Sequence, residues 1–324
     1  MLTKIKRRSG LLVSLAVICA TVAVVPMQSA SAAMSIVPNA AASYSTPANA
    51  EVYSACPGTT ATAAGFTDTT STDVDCIAMY GITQGTTATT YEPDATIPRW
   101  QMALYIHRMF GPTGVAAAGT TAVPAFTDTS GLSAEIQAAI TALASHGITA
   151  GTTATTFSPS DNVTREQMAM FLNRFAGIAK DHAGSAIAAT AAASSVFNYS
   201  DLSSASFEGV ESIIRLFNLG VTDTCTVAAS CAATYRPSDD ITRGEMASMV
   251  KELLDHTNAR PAGITIQSSA SLATTGSKAT LISVRNADFT PSANTLVDEF
   301  FQLHSDGTAA VPVTAQPAFS ALGA

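Results

Sequence analysis

Three arginines stand at matching places in this chain, in Pro98-Arg99-Trp100-Gln101-Met102, Thr164-Arg165-Glu166-Gln167-Met168 and Thr242-Arg243-Gly244-Glu245-Met246. In the second and third, Thr followed three residues on by Gln or Glu is a capping box, the mark of a helix start. Each Arg then falls on the first helical residue, where the macrodipole disfavours a cation. A cost repeated three times asks for a reason. One is chemical: a guanidinium beside the free N–H groups of a first helical turn makes a site for a carboxylate or phosphate. The other is structural, a salt bridge to Asp68, Asp128, Asp201 or a carboxylate of another copy. The two are compatible. Since a cation would be leaving an unfavourable position, removing it is expected to spare the fold. Arg108 and Arg174, nine residues further on, read as cations at helix C-termini.

Ahead of these arginines the block Gly81-Ile82-Thr83-Gln84-Gly85-Thr86-Thr87 returns as Gly147-Ile148-Thr149-Ala150-Gly151-Thr152-Thr153. The first Gly precedes its Arg by 18 residues in both copies, and a degenerate third copy runs from Gly220 to Arg243. Such self-similarity means one supersecondary unit per repeat, none able to bury its apolar face alone. The small residues and hydroxyls at Gly81, Thr83, Gly85, Gly147, Thr149, Gly151 and Gly220 would let a ligand approach the backbone closely, or simply form a tight turn between helices. Trp100 has no aromatic counterpart in the other copies and either stacks on a sugar face or fills a core gap.

The elements that must position these groups read as mainly α. Each copy opens with an aromatic-x-Asp element, Phe66-Thr67-Asp68, Phe126-Thr127-Asp128 or Tyr199-Ser200-Asp201. The Asp is expected to cap the helix that follows. First helices are expected to end at Gly81, Gly147 and Gly220, with the first copy's helix the shortest. Second helices share one register, Met102, Tyr105, Ile106, Met109 against Met168, Phe171, Leu172, Phe175 and Met246, Met249, Val250, Leu253. This stripe is read as the seam where three helices meet. The copies span 52–112, 124–177 and 196–257, separated by small-residue connectors. After Pro261 the texture turns to β, and residues 262–324 read as part of an Ig-like β region, too short for a whole sandwich.

The start of the chain, residues 1–33, has a basic head, an apolar run from Leu11 to Val25 and a small-residue end, which is a secretory signal pattern. Residues 34–51 read as a flexible leader. Four of the 16 Lys and Arg and none of the 24 Asp and Glu lie in the signal, so the mature balance is 12 against 24. An acidic chain without a basic stripe is not expected to bind nucleic acid. Beyond the signal no stretch reaches the length of a membrane span. Cys56, Cys76, Cys225 and Cys231 remain after cleavage, and an even count in an oxidising compartment points to two local disulfides, Cys56 to Cys76 and Cys225 to Cys231. No Gly-x-Ser-x-Gly or His-Glu-x-x-His occurs, and His107, His146, His182, His256 and His304 are scattered, so no enzyme, metal site or cofactor is expected.

Phe-Thr-Asp, Gly-Ile-Thr-x-Gly, Phe157-x-Pro159 and Val163-Thr164-Arg165-Glu166-Gln167-Met168-Ala169 together resemble the S-layer homology domain, in three tandem copies over about 52–257. The resemblance implies helix-loop-helix repeats in a pseudo-threefold spindle around a central three-helix bundle, with ligands in the grooves between repeats. It implies non-covalent anchoring of an exported protein to secondary cell wall polysaccharide, often carrying a ketal-pyruvate carboxylate. The motif arginine, here Arg99, Arg165 and Arg243, is the implied anion contact, and Gly81, Gly85, Gly147 and Gly151 match the family's loop. Copy three departs: it lacks the second Gly and has five extra residues before Arg243, so its groove is the weakest candidate. Copies of the chain in a surface layer are a further implied partner. The alternative is the wall-anchoring part of a surface enzyme or adhesin whose effector domain lies beyond this chain.

Overall fold

The computed structural model describes residues 53–57, 61, 63–187, 189–222, 228–268, 280–292, 301–302 and 311–312. Among them lie six α-helices: α1 Thr72–Met79, α2 Arg99–Thr113, α3 Ala134–Ser145, α4 Arg165–Ala176, α5 Phe207–Leu219 and α6 Arg243–His256. Arg99, Arg165 and Arg243 are the first helical residues of α2, α4 and α6, as their motifs require. The first helix of the first pair has 8 residues against 12 in α3 and 13 in α5. Gly81, Gly147 and Gly220 follow these helices with φ of 69°, 70° and 80°, the left-handed turn that glycine takes without a Cβ penalty.

The caps differ from expectation. Ser71, Ser133 and Ser206 accept from Val74, Ile136 and Gly209 N–H, so serine caps α1, α3 and α5. The aspartates of the aromatic-x-Asp elements lie too far upstream, and their carboxylates are committed elsewhere. Only α6 has both arms of a capping box; on α4 Thr164 caps, but the Gln167 side chain is drawn away.

Each second helix packs most extensively on the first helix of the next pair: α2 on α3, α4 on α5, and α6 back on α1. Helices α4 and α6 also touch. All twelve residues of the shared second-helix register are buried. Short backbone bridges tie the strand-like residues before these helices. Val163 N–H donates to Ile97 carbonyl at 3.0 Å, Ile241 N–H to Val163 at 2.9 Å and Ile97 N–H to Ile241 at 3.3 Å. The three side chains are fully buried, so water does not compete for these bonds. Helix α2 runs through Pro112 to Thr113, past the expected connector start at Gly111, and stops at Gly114 with φ 73°.

The Cys56–Cys76 disulfide forms as expected and fastens the segment before α1. That segment also reaches α6 and the β region: Ala55 N–H donates to Asp255 at 2.7 Å, Tyr80 hydroxyl to Ala55 carbonyl at 2.6 Å, and Gln267 to Ser54 carbonyl at 2.9 Å. Cys225 lies outside the described residues, as do the signal and leader. Of the β region, β1 Gly263–Ser268 and β2 Thr280–Arg285 form an antiparallel hairpin, and β3 Phe301–Gln302 pairs with β4 Val311–Pro312. Residues 269–279, 293–300, 303–310 and 313–324 of that segment lie outside the described residues.

Arg174 lies in the last turn of α4, but Arg108 falls short of the last turn of α2, which runs on to Thr113, and both make bonds that a dipole reading does not ask for. Arg108 donates to Ile82 carbonyl and pairs with Glu135 in the first turn of α3; Arg174 donates to Ile148 carbonyl and pairs with Glu208 in the first turn of α5. Each staples its own loop to the next helix. At the third junction the matching residue, nine after Arg243, is Glu252, which feels Asp73 in the first turn of α1 as a like charge. Burial raises its carboxyl above the ordinary range; Lys251 opposes this, and Asp255 and Asp73 add to it. A raised folded-state pKa means that the native chain gains stability as pH falls through that pKa and loses it as pH rises. Glu252→Arg should restore the staple opposite Asp73 and raise neutral-pH stability by roughly 1 kcal/mol, a few degrees in Tm. Thermal melts across pH check this: the gain over the parent should shrink on acidification, and a lower Tm at pH 7 would show that the junction tolerates no cation.

Candidate functional site

Each motif arginine reaches out of its own helix pair into the next. Arg99 Nε donates to Phe157 carbonyl at 2.8 Å, Arg165 Nε to Tyr235 carbonyl at 2.7 Å, and Arg243 Nε to Tyr91 carbonyl at 2.7 Å. The guanidinium carbons lie 4.9, 4.9 and 4.7 Å from the centroids of those same rings, within cation–π range. Tyr91 and Tyr235 return a bond, their hydroxyls donating to the carbonyls of Arg243 and Arg165 at 2.8 and 3.0 Å. Burial pushes both phenols well above their usual pKa, so they stay donors.

The expected free N–H groups of the first helical turns are not free. Arg99 and Trp100 donate to Asp161 and Pro159 carbonyls, Arg165 and Glu166 to Asp239 and Pro237, Arg243 and Gly244 to Ala95 and Pro93. The neighbouring turn thus satisfies the helix start, and what is left for a ligand is the guanidinium itself. Removing an arginine would strip a buried carbonyl of its donor, which overturns the expectation that the fold is indifferent to it.

The turn that receives each arginine holds a non-glycine residue in the left-handed region: Glu92 at φ 58°, Ser158 at 55° and Arg236 at 60°. Such a conformation persists only where surroundings enforce it. Here an aspartate does so. Asp68 accepts from Tyr91 and Glu92 N–H, Asp128 from Phe157 and Ser158, and Asp201 from Tyr235 and Arg236, at 2.7 to 3.1 Å. This is where the aromatic-x-Asp carboxylates go. The N–H groups of Tyr91 and Glu92 hold Asp68 below the ordinary carboxylate range. For Asp128 burial pushes up, but the bonds from Phe157 and Ser158 prevail and the carboxyl is lowered. The stability they lend is therefore present above the unfolded carboxylate pKa and is lost as pH falls through their folded values.

The three junctions differ in what meets the remaining guanidinium nitrogens. Arg99 Nη1 donates to Gln167 at 3.2 Å and Arg243 Nη1 to Gln101 at 2.8 Å, both neutral amides. Arg165 Nη1 meets the Glu245 carboxylate at 2.6 Å. Arg243 is 3% exposed, and its buried Nη2 has no hydrogen-bond partner. It lines a cleft of about 290 Å³ whose other walls are the Thr83–Thr86 loop and the α2 face of Trp100, Gln101, Leu104, Tyr105 and Arg108. Trp100 is half-buried, packing against the core's edge while lining the cleft.

Of the residues expected to bind, the cleft gathers Thr83, Gly85, Trp100 and Arg243. Arg99 and Arg165 stand at the other two junctions. Gly81, Gly147 and Gly220 end helices. Gly85 and Gly151 are needed by close packing: a Cβ there would lie 2.4 and 2.5 Å from the Phe66 and Phe126 rings. Thr83 and Thr149 are buried, and the Thr83 hydroxyl is bonded to Tyr105 at 2.8 Å. Gln101, Tyr105 and Arg108 were not anticipated. Each arginine meets the turn of the copy that follows, so the third copy's Tyr235 turn receives Arg165, and Arg243 instead meets the first copy's Tyr91 turn.

The family model of the S-layer homology domain matches residues 125–169, from the Phe126-Thr127-Asp128 turn through α3 to the first turn of α4. An S-layer homology domain is thus present, and such domains are in general cell-wall anchoring modules at the cell surface, binding rather than catalytic. No curated protein matches the chain at a significant level.

Arg99→Ala should lower stability by about 2–4 kcal/mol, by orphaning Phe157 carbonyl and Gln167 and by emptying a buried volume. Denaturant titration beside the parent checks this, and an unchanged midpoint would show that the arginine is not a structural tie.

Proposed function

We propose that this chain is an exported, non-catalytic surface protein whose three S-layer homology repeats, at 52–112, 124–177 and 196–257, close into a threefold spindle that grips anionic secondary cell wall polysaccharide. The observation that carries this reading is Arg243: its nearly buried guanidinium has an unsatisfied donor, and the residue lines a cleft that Trp100 also lines. A carboxylate-bearing sugar matches both features, its anion on the guanidinium and its ring on Trp100. The chain is net acidic, so bulk attraction to an anionic polymer is missing and local geometry has to do the recognising. Phosphate would suit the charge equally; a pyruvate-ketal or uronic carboxylate also brings a sugar ring to Trp100. Among the described residues no helix is long and apolar enough to cross a membrane. The β region would display or assemble copies of the chain in a surface layer.

Co-sedimentation of the full chain with purified walls tests the reading. Walls should retain it, walls extracted to remove the accessory polysaccharide should not, and Arg243→Lys, which keeps charge but loses the fork, should weaken retention about tenfold, ~1.4 kcal/mol. Equal retention by extracted walls would locate the ligand in peptidoglycan and refute the polysaccharide reading.

A further inference from the structure

The residue two places after each motif arginine is Gln101, Gln167 or Glu245, and the structure makes that difference electrostatic. At each junction this side chain bonds Nη1 of the arginine from the preceding pair. Two of the three are neutral amides and bring no charge to the guanidinium. The third is a carboxylate: Glu245 Oε1 takes Arg165 at 2.6 Å and Arg236 at 2.7 Å, while Oε2 accepts Thr242 N–H at 3.1 Å. A bound carboxylate would make the same kind of charge-assisted contact to a guanidinium. The staple position reinforces the contrast, since Arg108 lines the Arg243 cleft whereas the matching residue on α6 is Glu252.

We propose that Glu245 is a built-in carboxylate that fills the anion position of the Arg165 junction, so that polymer carboxylates enter at the Arg243 and Arg99 junctions alone. This rests on the anchoring reading above and sharpens it. The occupant is durable: although burial pushes the Glu245 carboxyl up, the Thr242 N–H and the Arg165 and Arg236 guanidinia prevail and hold it below the ordinary range. A second carboxylate approaching Arg165 would meet this charge at close range and be repelled. Gln101 and Gln167 offer an incoming anion no such repulsion. The chain therefore carries two open junctions and one closed by its own side chain, and Glu245 is the residue that sets the count.

The arginine Nε–H signals in 1H–15N spectra of the full chain report each junction separately. D-glucuronate is the probe and D-glucose the uncharged control. On adding glucuronate to the parent, the Arg243 and Arg99 signals should move and saturate while Arg165 stays still. In Glu245→Gln, Arg165 should also move, with a midpoint within about threefold of the others, because like charge-assisted pairs are of similar strength. Gln167→Glu is the converse and should silence Arg99 while Arg243 still titrates. Movement of Arg165 in the parent, or a still Arg165 in Glu245→Gln beside titrating Arg99 and Arg243, overturns the assignment of Glu245. No movement of any arginine in either protein, or equal movement with glucose, overturns the anchoring reading itself and this inference with it.

Discussion

The molecule depends on one contact made three times: a guanidinium leaves the first residue of a helix, donates to a carbonyl of the neighbouring turn and lies over that turn's aromatic ring. Each side supplies what the other lacks. The helix start needs the turn's carbonyls for its N–H groups, and the turn, with a non-glycine residue at positive φ, needs the helix and an aspartate to hold it. The cation therefore stands where the dipole disfavours it because the neighbour's carbonyls and ring return more than the dipole takes. Since the third arginine reaches the first turn, the contacts run from pair to pair and come back to their start.

The same arrangement explains why a binding site can sit at these junctions at little extra structural cost. Nε is spent on the fold and Nη1 on an amide or carboxylate, so any recognition falls to what remains. At Arg243 a buried donor is left unmet, which in a folded chain is a penalty unless something arrives to satisfy it. At Arg165 the chain satisfies the charge itself through Glu245. On the proposed reading, structure and recognition are divided among the nitrogens of one side chain, and a substitution there would change both. Binding assays on such variants carry meaning only beside a measurement of folding.

Much of this was legible in the sequence. Local signals gave the helix starts at the arginines, the left-handed glycines, the buried second-helix register and the Cys56–Cys76 bridge. What could not be read was which copy docks on which. A period of repeated motifs says that neighbours share a core, but not that an arginine serves the loop of the following copy. That single gap misplaced the roles of Asp68, Asp128 and Asp201, made Arg108 and Arg174 look like dipole partners, and tied Arg243 to the third loop, whereas its cleft is walled by the first. The signal that would have helped was present in Gln101, Gln167 and Glu245, whose differing charge two residues beyond the arginine marks the junctions as unequal.

If the junctions close on one another, the chain has no helix pair that can open alone. The amides of Ile97, Val163 and Ile241, each bonded to the carbonyl of the next across a different junction, report this directly. Native-state hydrogen exchange on the full chain should give all three the same opening free energy, equal to that of global unfolding from denaturant titration. One of them exchanging through a smaller, sub-global opening while the other two keep full protection would show that the pairs are merely strung side by side, and that the arginine contacts do not hold them as a unit.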